Sequence, residues 1–337
     1  MPAPAAEPVP PIVLIDGDRL AGLLDDNAAV DAIEAALLGG LDPASCGPAR
    51  TRVPVPAGEL LLMPAQFGRY AAVKVAGLAA GNAARGLPTV TGGCLLLDAT
   101  TLRTLALVDG AALTALRTPA VSALAARHLA VPGATRLVLF GTGPQAYGHL
   151  RALRATLPEL GELVVVARDR GRAQGLAEYA ESLGLTARVG SAEDVRDADL
   201  VCCCTSAREP LFDSDLLPPD ATVLAVGSHE PDARETDTAL LRRATVVVEE
   251  AGIALREAGD LLMPIAEGAF TPGRIAGDLA ELVTGGLILP TGHPRLFKSV
   301  GMAWQDLLVA AAAYEAAAAY EAAVAAARPD GAGSSGK

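Results

Sequence analysis

Three groups of side chains in this sequence have the types and spacing for chemistry. The first is Gly141-Thr142-Gly143-Pro144-Gln145-Ala146, a G-x-G-x-x-A turn that follows the apolar run Arg136–Phe140 and leads into a helix-patterned segment, 145–157. The second is a pair of cations among apolar neighbours. Lys74 shares a strand face with Ala72 and Ala76, small residues that leave room for a ligand; an edge-strand lysine facing water is the alternative. Arg117 stands four residues after Leu113 and four before Val121, on the apolar stripe of a helix. An unpaired guanidinium is costly there, so a buried anion should meet it, either a ligand or a carboxylate of the chain itself. The third is His229, just beyond the apolar run 223–226, where a carboxyl edge of a parallel sheet would gather ligands. An ordinary imidazole pKa of about 6.5 suits proton transfer near neutrality, the alternative being a loop histidine in solvent.

The glycine turn can hold a dinucleotide. Gly141 permits the tight turn, Gly143 lets backbone approach a pyrophosphate, and Ala146 allows close helix–strand packing, while Pro144 costs no hydrogen bond in a first helical turn. The second strand of the unit ends in Val165-Val166-Ala167-Arg168-Asp169-Arg170. Ala167 cannot accept a bond from a ribose hydroxyl, whereas Arg168 and Arg170 offer planar cations for a 2′-phosphate. NADP(H) is therefore expected to be preferred, with NAD(H) possible; Asp169 is alternatively a helix N-cap.

The elements that must position these groups follow from periodicity. Arg136–Phe140, 163–166, 187–189, 200–204, 223–226 and Thr245–Val248 are six short apolar runs separated by helix-length segments, the pattern of a doubly wound parallel sheet. Before them, 60–63, 70–76 and 93–97 read as strands of an α+β region, and after Gly301 an Ala-rich helix runs from Met302 to about Ala327 and returns to that region. The reading is an α/β chain: a Rossmann domain over 119–304, a second domain built from 12–118 plus 305–328, and disordered ends at 1–11 and 329–337. Hydrophobic residues make up 51% and aromatics 3%, so Ala, Val and Leu must fill the core, which disfavours a β-sandwich. A net charge of −12 repels phosphate backbones and anionic lipid, so neither nucleic acid nor a membrane is an expected partner. The consecutive Cys202, Cys203 and Cys204 fit neither a zinc site nor a disulfide framework, and read as buried strand in a reducing compartment. No basic leader is evident, and the cytoplasm is the expected location, with no metal.

An ordered set of motifs adds a resemblance. Arg50, Leu62-Met63-Pro64-Ala65, Val73-Lys74-Val75, Ala84-Arg85-Gly86-Leu87-Pro88-Thr89, Ala115-Leu116-Arg117-Thr118, Gly141-Thr142-Gly143, Val226-Gly227 and Phe297-Lys298-Ser299-Val300-Gly301 together resemble the ornithine cyclodeaminase and mu-crystallin family from about residue 45 to 310. The resemblance implies that Arg50, Lys74 and Arg117 grip a substrate carboxylate, with Arg52 an alternative to Arg50. It also implies that Val300 touches substrate, and that Thr89, Thr118, Gln145, Thr205 and Ser299 line the cofactor or nicotinamide pocket beside Gly141, Gly143, Pro144, Val226 and Gly227. A homodimer is implied as well.

The sequence departs from the cyclodeaminases of that family at two places. They carry an acidic residue just before the Leu-Met-Pro motif and an aspartate after the fifth Rossmann strand; the matching residues here are Leu61 and His229. Without those carboxylates ring closure of ornithine loses its proton carriers. The expected activity is reduction of a small cyclic ketimine such as pyrroline- or piperideine-2-carboxylate, with His229 and Lys74 as the candidates for catalysis. Ornithine cyclodeamination, amino acid dehydrogenation and non-catalytic binding of a small ligand in the manner of mu-crystallin are the alternatives.

Overall fold

Alternating aliphatic runs and side-chain-capped helices build two sheets in the computed structural model, which describes residues 11–327. Apart from Pro11, the segments expected to be disordered lie outside the described residues. The chain opens with β1 (Val13–Ile15), α1 (Gly17–Leu23) and α2 (Asp26–Leu38), then lays down β2 (Thr51–Val55), β3 (Gly58–Phe67), β4 (Tyr70–Leu78), β5 (Val90–Asp98) and β6 (Thr104–Asp109). β2 to β6 form an antiparallel meander and β1 joins β6 in parallel. The three strand runs read from sequence fall in β3, β4 and β5. The flanking strands escape that reading because Arg52 and Pro54 interrupt β2, and β1 is too short to show a period.

Strand pleating sets the fate of β4. Tyr70, Ala72, Lys74 and Ala76 point inward and are buried, while Val75 on the other face is exposed. Lys74 therefore lies inside the protein on a central strand, not on an edge facing water.

Asp109 caps the next helix, α3 (Gly110–Leu129), by accepting from Ala112 N at 2.8 Å. α3 runs unbroken through residues 118 and 119, where the sequence suggests a domain boundary, so one helix is shared by both halves. Its alanine-rich stretch 120–126 is fully buried, which lets neighbouring backbone approach closely.

The second half alternates strand and helix: β7 (Arg136–Phe140), α4 (Pro144–Thr156), β8 (Glu162–Val166), α5 (Arg170–Ser182), β9 (Thr186–Val189), β10 (Leu200–Cys203), β11 (Thr222–Ala225), α6 (Thr238–Arg243), β12 (Thr245–Val248), α7 (Ala251–Glu257), α8 (Gly259–Ala266), β13 (Ile275–Asp278), α9 (Leu279–Val283) and β14 (Arg295–Lys298). All pairings are parallel, in the order β13-β12-β14-β11-β10-β7-β8-β9. The sheet is the Rossmann-type fold expected, but with eight strands rather than six. β14 is inserted between β11 and β12, and its two charges hide it from an apolar-run reading. Both are buried and paired: Arg295 donates to Leu129 O, and Lys298 Nζ meets Asp260 at 2.9 Å and Ser228 O at 2.7 Å. Cys202 and Cys203 are fully buried core of β10, each small apolar filler on one face of the sheet.

The last helix, α10 (Ala303–Ala327), returns to the first sheet and packs on its inner face. By length and composition Ala303–Val324 is apolar enough to cross a membrane. Trp304, Leu307, Val309, Ala310, Ala313 and Ala317 are nevertheless buried in the protein core, each large side chain contributing about 1.5–3 kcal/mol by its burial. Asp306 is buried among them, and it belongs to the site.

Candidate active site

Between the two sheets lies a cavity of about 250 Å³ into which all three cations point, together with His229 and Val300. Arg50 comes from the segment before β2, Lys74 from β4, and Arg117 from α3. Arg50 Nη2 donates to Val300 O at 3.0 Å and to Gly301 O, and its Nε lies 3.1 Å from Glu257. Burial lowers its pKa, Glu257 opposes that, and Arg117 adds to it. Arg52 instead pairs with Glu59 at 2.6 Å on the exposed side of the strand pair, so Arg50 is the residue turned inward. Lys74 Nζ meets Asp306 Oδ1 at 2.7 Å and Thr114 Oγ1; burial pulls its pKa down and Asp306 pulls it back up.

Arg117 does meet a buried anion, and that anion belongs to the chain. Its Nε lies 3.1 Å from Asp306 Oδ1, and its Nη1 donates to Gln305 Oε1 at 2.7 Å. Asp306 thus bridges Lys74 and Arg117 through one oxygen, while Oδ2 is buried with no hydrogen-bond partner. Asp306 and Glu257 are the only carboxylates in direct ion pairs with the three cations among the described residues. One more anion is therefore electrostatically welcome in the cavity.

His229, half-buried in the loop after β11, differs from the expectation of an ordinary imidazole. Burial, then Arg50 and Arg52, hold its pKa below 6.5, partly offset by Glu230, so the neutral form prevails at pH 7. Part of the cavity wall is apolar: Leu61, Met63 and Ala76 form a small buried cluster of their own.

A second, larger cleft of about 890 Å³ opens at the carboxyl edge of the parallel sheet, lined by the glycine turn, the end of β8 and the loop after β10. Gly141 has φ +111°, and a Cβ there would stand 2.5 Å from Cys204 O, so only glycine fits. A Cβ at Gly143 would meet nothing within 4 Å, and no side chain caps α4, whose first residue is Pro144. Open backbone at a helix N-terminus is the cradle a pyrophosphate needs. Gln145, Cys204 and Thr205 line both spaces, making them contiguous. Thr118 Oγ1 and Gln145 Oε1 are buried without partners, polar atoms suited to a carboxamide. These residues fit a nicotinamide dinucleotide.

Of the other residues singled out from sequence, Thr118, Gln145, Thr205, Val226, Gly227, Ser299 and Val300 line the inner cavity; Gly141, Gly143, Pro144 and Arg168 line the cleft. Arg170 does not. Asp169 caps α5, accepting from Arg172 N at 3.1 Å, and the helical rotation of about 100° per residue leaves Arg172 on the cleft in its place. Thr89 is exposed and outside the lining, next to Val90, which is part of it.

Sequence reading missed four buried residues that hold the site. Glu235 accepts from Thr205 N and Oγ1 at 2.8 Å and from Gly227 N at 2.7 Å, tying the loops after β10 and β11 together. Burial raises its pKa, against the pull of Lys298. Glu249, Gln305 and Asp306 are the others. The signal for the last two was present: a polar pair, Gln305-Asp306, standing between Trp304 and Leu307 in an apolar helix.

Comparison with known proteins gives a consistent set of relatives. A sequence profile of the ornithine cyclodeaminase/mu-crystallin family matches residues 23–321. The chain is 37% identical over 236 residues to a Delta(1)-pyrroline-2-carboxylate reductase of Paracoccus denitrificans, covering 68% of this chain and 74% of that protein. It is 33% identical over 302 residues to the ketimine reductase mu-crystallin of Rattus norvegicus, covering 87% and 93%. Among solved structures, that of the Thermococcus litoralis Delta(1)-pyrroline-2-carboxylate reductase in complex with NADH and L-proline superposes with a TM-score of 0.87 at 31% identity, covering 92% of this chain and 98% of that one.

Proposed function

The chain belongs to the ornithine cyclodeaminase/mu-crystallin family, and on that premise we propose that it is an oxidoreductase that reduces a small cyclic ketimine carboxylate, such as pyrroline- or piperideine-2-carboxylate, with NADPH preferred. The observation that carries the reading is that Arg50, Lys74 and Arg117 converge on one cavity contiguous with the cleft at the glycine turn.

A nicotinamide dinucleotide held in the cleft by the glycine turn would supply a hydride for the imine carbon. The residues of the chain do the rest. The three cations hold the substrate carboxylate and so fix which ring atom faces the cleft. Leu61 and Met63 give the ring an apolar wall and exclude water. His229, which lines the cavity, gives the imine nitrogen its proton in its charged form. Gain of one hydride on carbon and one proton on nitrogen converts the C=N bond to the saturated secondary amine.

The NADPH preference rests on Ala167, which offers no acceptor for a ribose hydroxyl, and on Arg168 and Arg172 at the cleft. A homodimer is proposed from the outer face of the first sheet, where Leu14, Leu107 and Val75 are exposed and Leu14 and Leu107 pair side by side across β1 and β6. Five unpaired cysteines suit the cytoplasm, the location we propose.

Purified protein with a panel of cyclic imines and amino acids, read by loss of NADPH absorbance, tests the function. Consumption with five- or six-membered ketimine carboxylates supports it. Ammonia released from ornithine with only catalytic cofactor would establish the lyase instead, against the expectation set by Leu61 and His229.

A further inference from the structure

All three residues of the turn 299–301 line the cavity, and the turn touches two of the three cations; past Ser299 N, which donates to Ala225 O at 3.1 Å, its amides have no backbone partner. One buried carboxylate holds it. Glu249, 1% exposed at the end of β12, accepts from Ser299 Oγ at 2.7 Å through Oε1, and from Val300 N and Gly301 N, each at 2.8 Å, through Oε2. Oε1 also accepts from Gln305 Nε2 at 2.7 Å.

Three of these four bonds lead to an arginine. The carbonyls of Val300 and Gly301 accept from Arg50 Nη2, and Gln305 Oε1 accepts from Arg117 Nη1 at 2.7 Å. Gly301 has φ +79°, and a Cβ there would stand 2.7 Å from Arg117 Nη1, so the turn and the guanidinium pack without slack. We propose that Glu249 is a positioning residue for the carboxylate clamp: by fixing the 299–301 turn and Gln305 together it aims Arg50 and Arg117 at the same point in the cavity. Its four donors occupy both oxygens, which leaves no acceptor for substrate, so it acts through the arginines rather than on the ligand.

Glu249→Gln keeps the size and removes the arrangement. An amide has a single acceptor oxygen, and its NH2 would face two donors, so at least two of the four bonds are lost. Glu249→Asp keeps charge and acceptors but withdraws them by one methylene, and serves as the variant that retains a folded site. Pyrrole-2-carboxylate, a planar ring carboxylate with no reducible imine, is titrated by calorimetry into full-length wild type and variants saturated with NADPH. Loss of the aim of charge-assisted bonds should weaken its binding about 10- to 100-fold in Glu249→Gln. Glu249→Asp should show a smaller loss, and NADPH affinity should change less than about threefold in either.

Equal weakening of both ligands would assign Glu249 a merely structural role and overturn the proposal, as would unchanged affinity in folded Glu249→Asp. The proposal rests on the cavity being a carboxylate site. Failure of the wild type to bind the probe would remove that reading and this one with it, whereas tight wild-type binding with indifferent variants removes this one alone.

Discussion

Asp306 bears the opposing charge of the site, and replacing it with asparagine makes a signed prediction. The substitution leaves Lys74 and Arg117, both buried, without their shared carboxylate. Breaking one partner out of a buried ion pair costs about 3–5 kcal/mol. With an unfolding entropy of about 2.1 cal/mol/K per residue over a chain of this length, that cost corresponds to a fall in Tm of roughly 4–7 °C at pH 7. Lys74 gives the pH dependence. Burial already lowers its folded pKa below the ordinary 10.5, and loss of Asp306 lowers it further. A depressed lysine pKa destabilises the fold increasingly as pH drops below the unfolded value, and not at all above it. The deficit of Asp306→Asn should therefore be large at pH 7 and shrink as pH rises toward about 10. The same vacancy invites an anion: pyrrole-2-carboxylate should raise the Tm of the variant more than that of the wild type. Scanning fluorimetry at pH 7 and 10, with and without the ligand, decides it. A pH-independent deficit, or no extra rescue by the carboxylate, would refute the assignment of Asp306 as counter-ion to the clamp.

Three further outcomes are expected. If charged His229 donates the proton, kcat/KM for ketimine reduction should fall as pH rises through a value below 6.5, and His229→Asn should abolish that limb with little change in NADPH affinity; a profile identical to wild type removes the residue from proton transfer. The double substitution Arg168→Ser and Arg172→Ser should cost NADPH at least about 10- to 100-fold in affinity and leave NADH nearly unaffected, measured by fluorescence titration, since each hydrogen bond to a charged group is worth about 1.5–3 kcal/mol. Leu61→Ala should open the apolar wall, destabilise by about 2–5 kcal/mol, and shift the ratio of kcat/KM toward six-membered or substituted rings; unchanged selectivity would place the ring elsewhere.

Which parts of this architecture were legible in the sequence depended on whether a residue's role is set by its own neighbours. The six apolar runs of the parallel sheet and the glycine turn are local patterns, and each lies where its period put it. Lys74 was readable because Ala72 and Ala76 share its face, and Arg117 because a helix period places it among Leu113 and Val121. Their partner was not readable from the same logic. Asp306 lies about 190 residues from Arg117, and only the return of α10 across the first sheet brings the two together, so the buried anion that the sequence demanded could be ligand or protein until the helices were placed. β14 was lost for the opposite reason: its charges looked like surface, and are neutralised by Asp220, Leu129 O and Asp260 from three separate segments. Glu249 follows Val246-Val247-Val248 and reads as the polar end of a strand, although four donors from beyond residue 298 converge on it. In this protein the groups that would touch ligand announce themselves by local misfit, a charge among alanines or a glycine after a strand. The groups that hold those in place satisfy their misfit across long stretches of chain, and so become visible only when the whole fold is drawn.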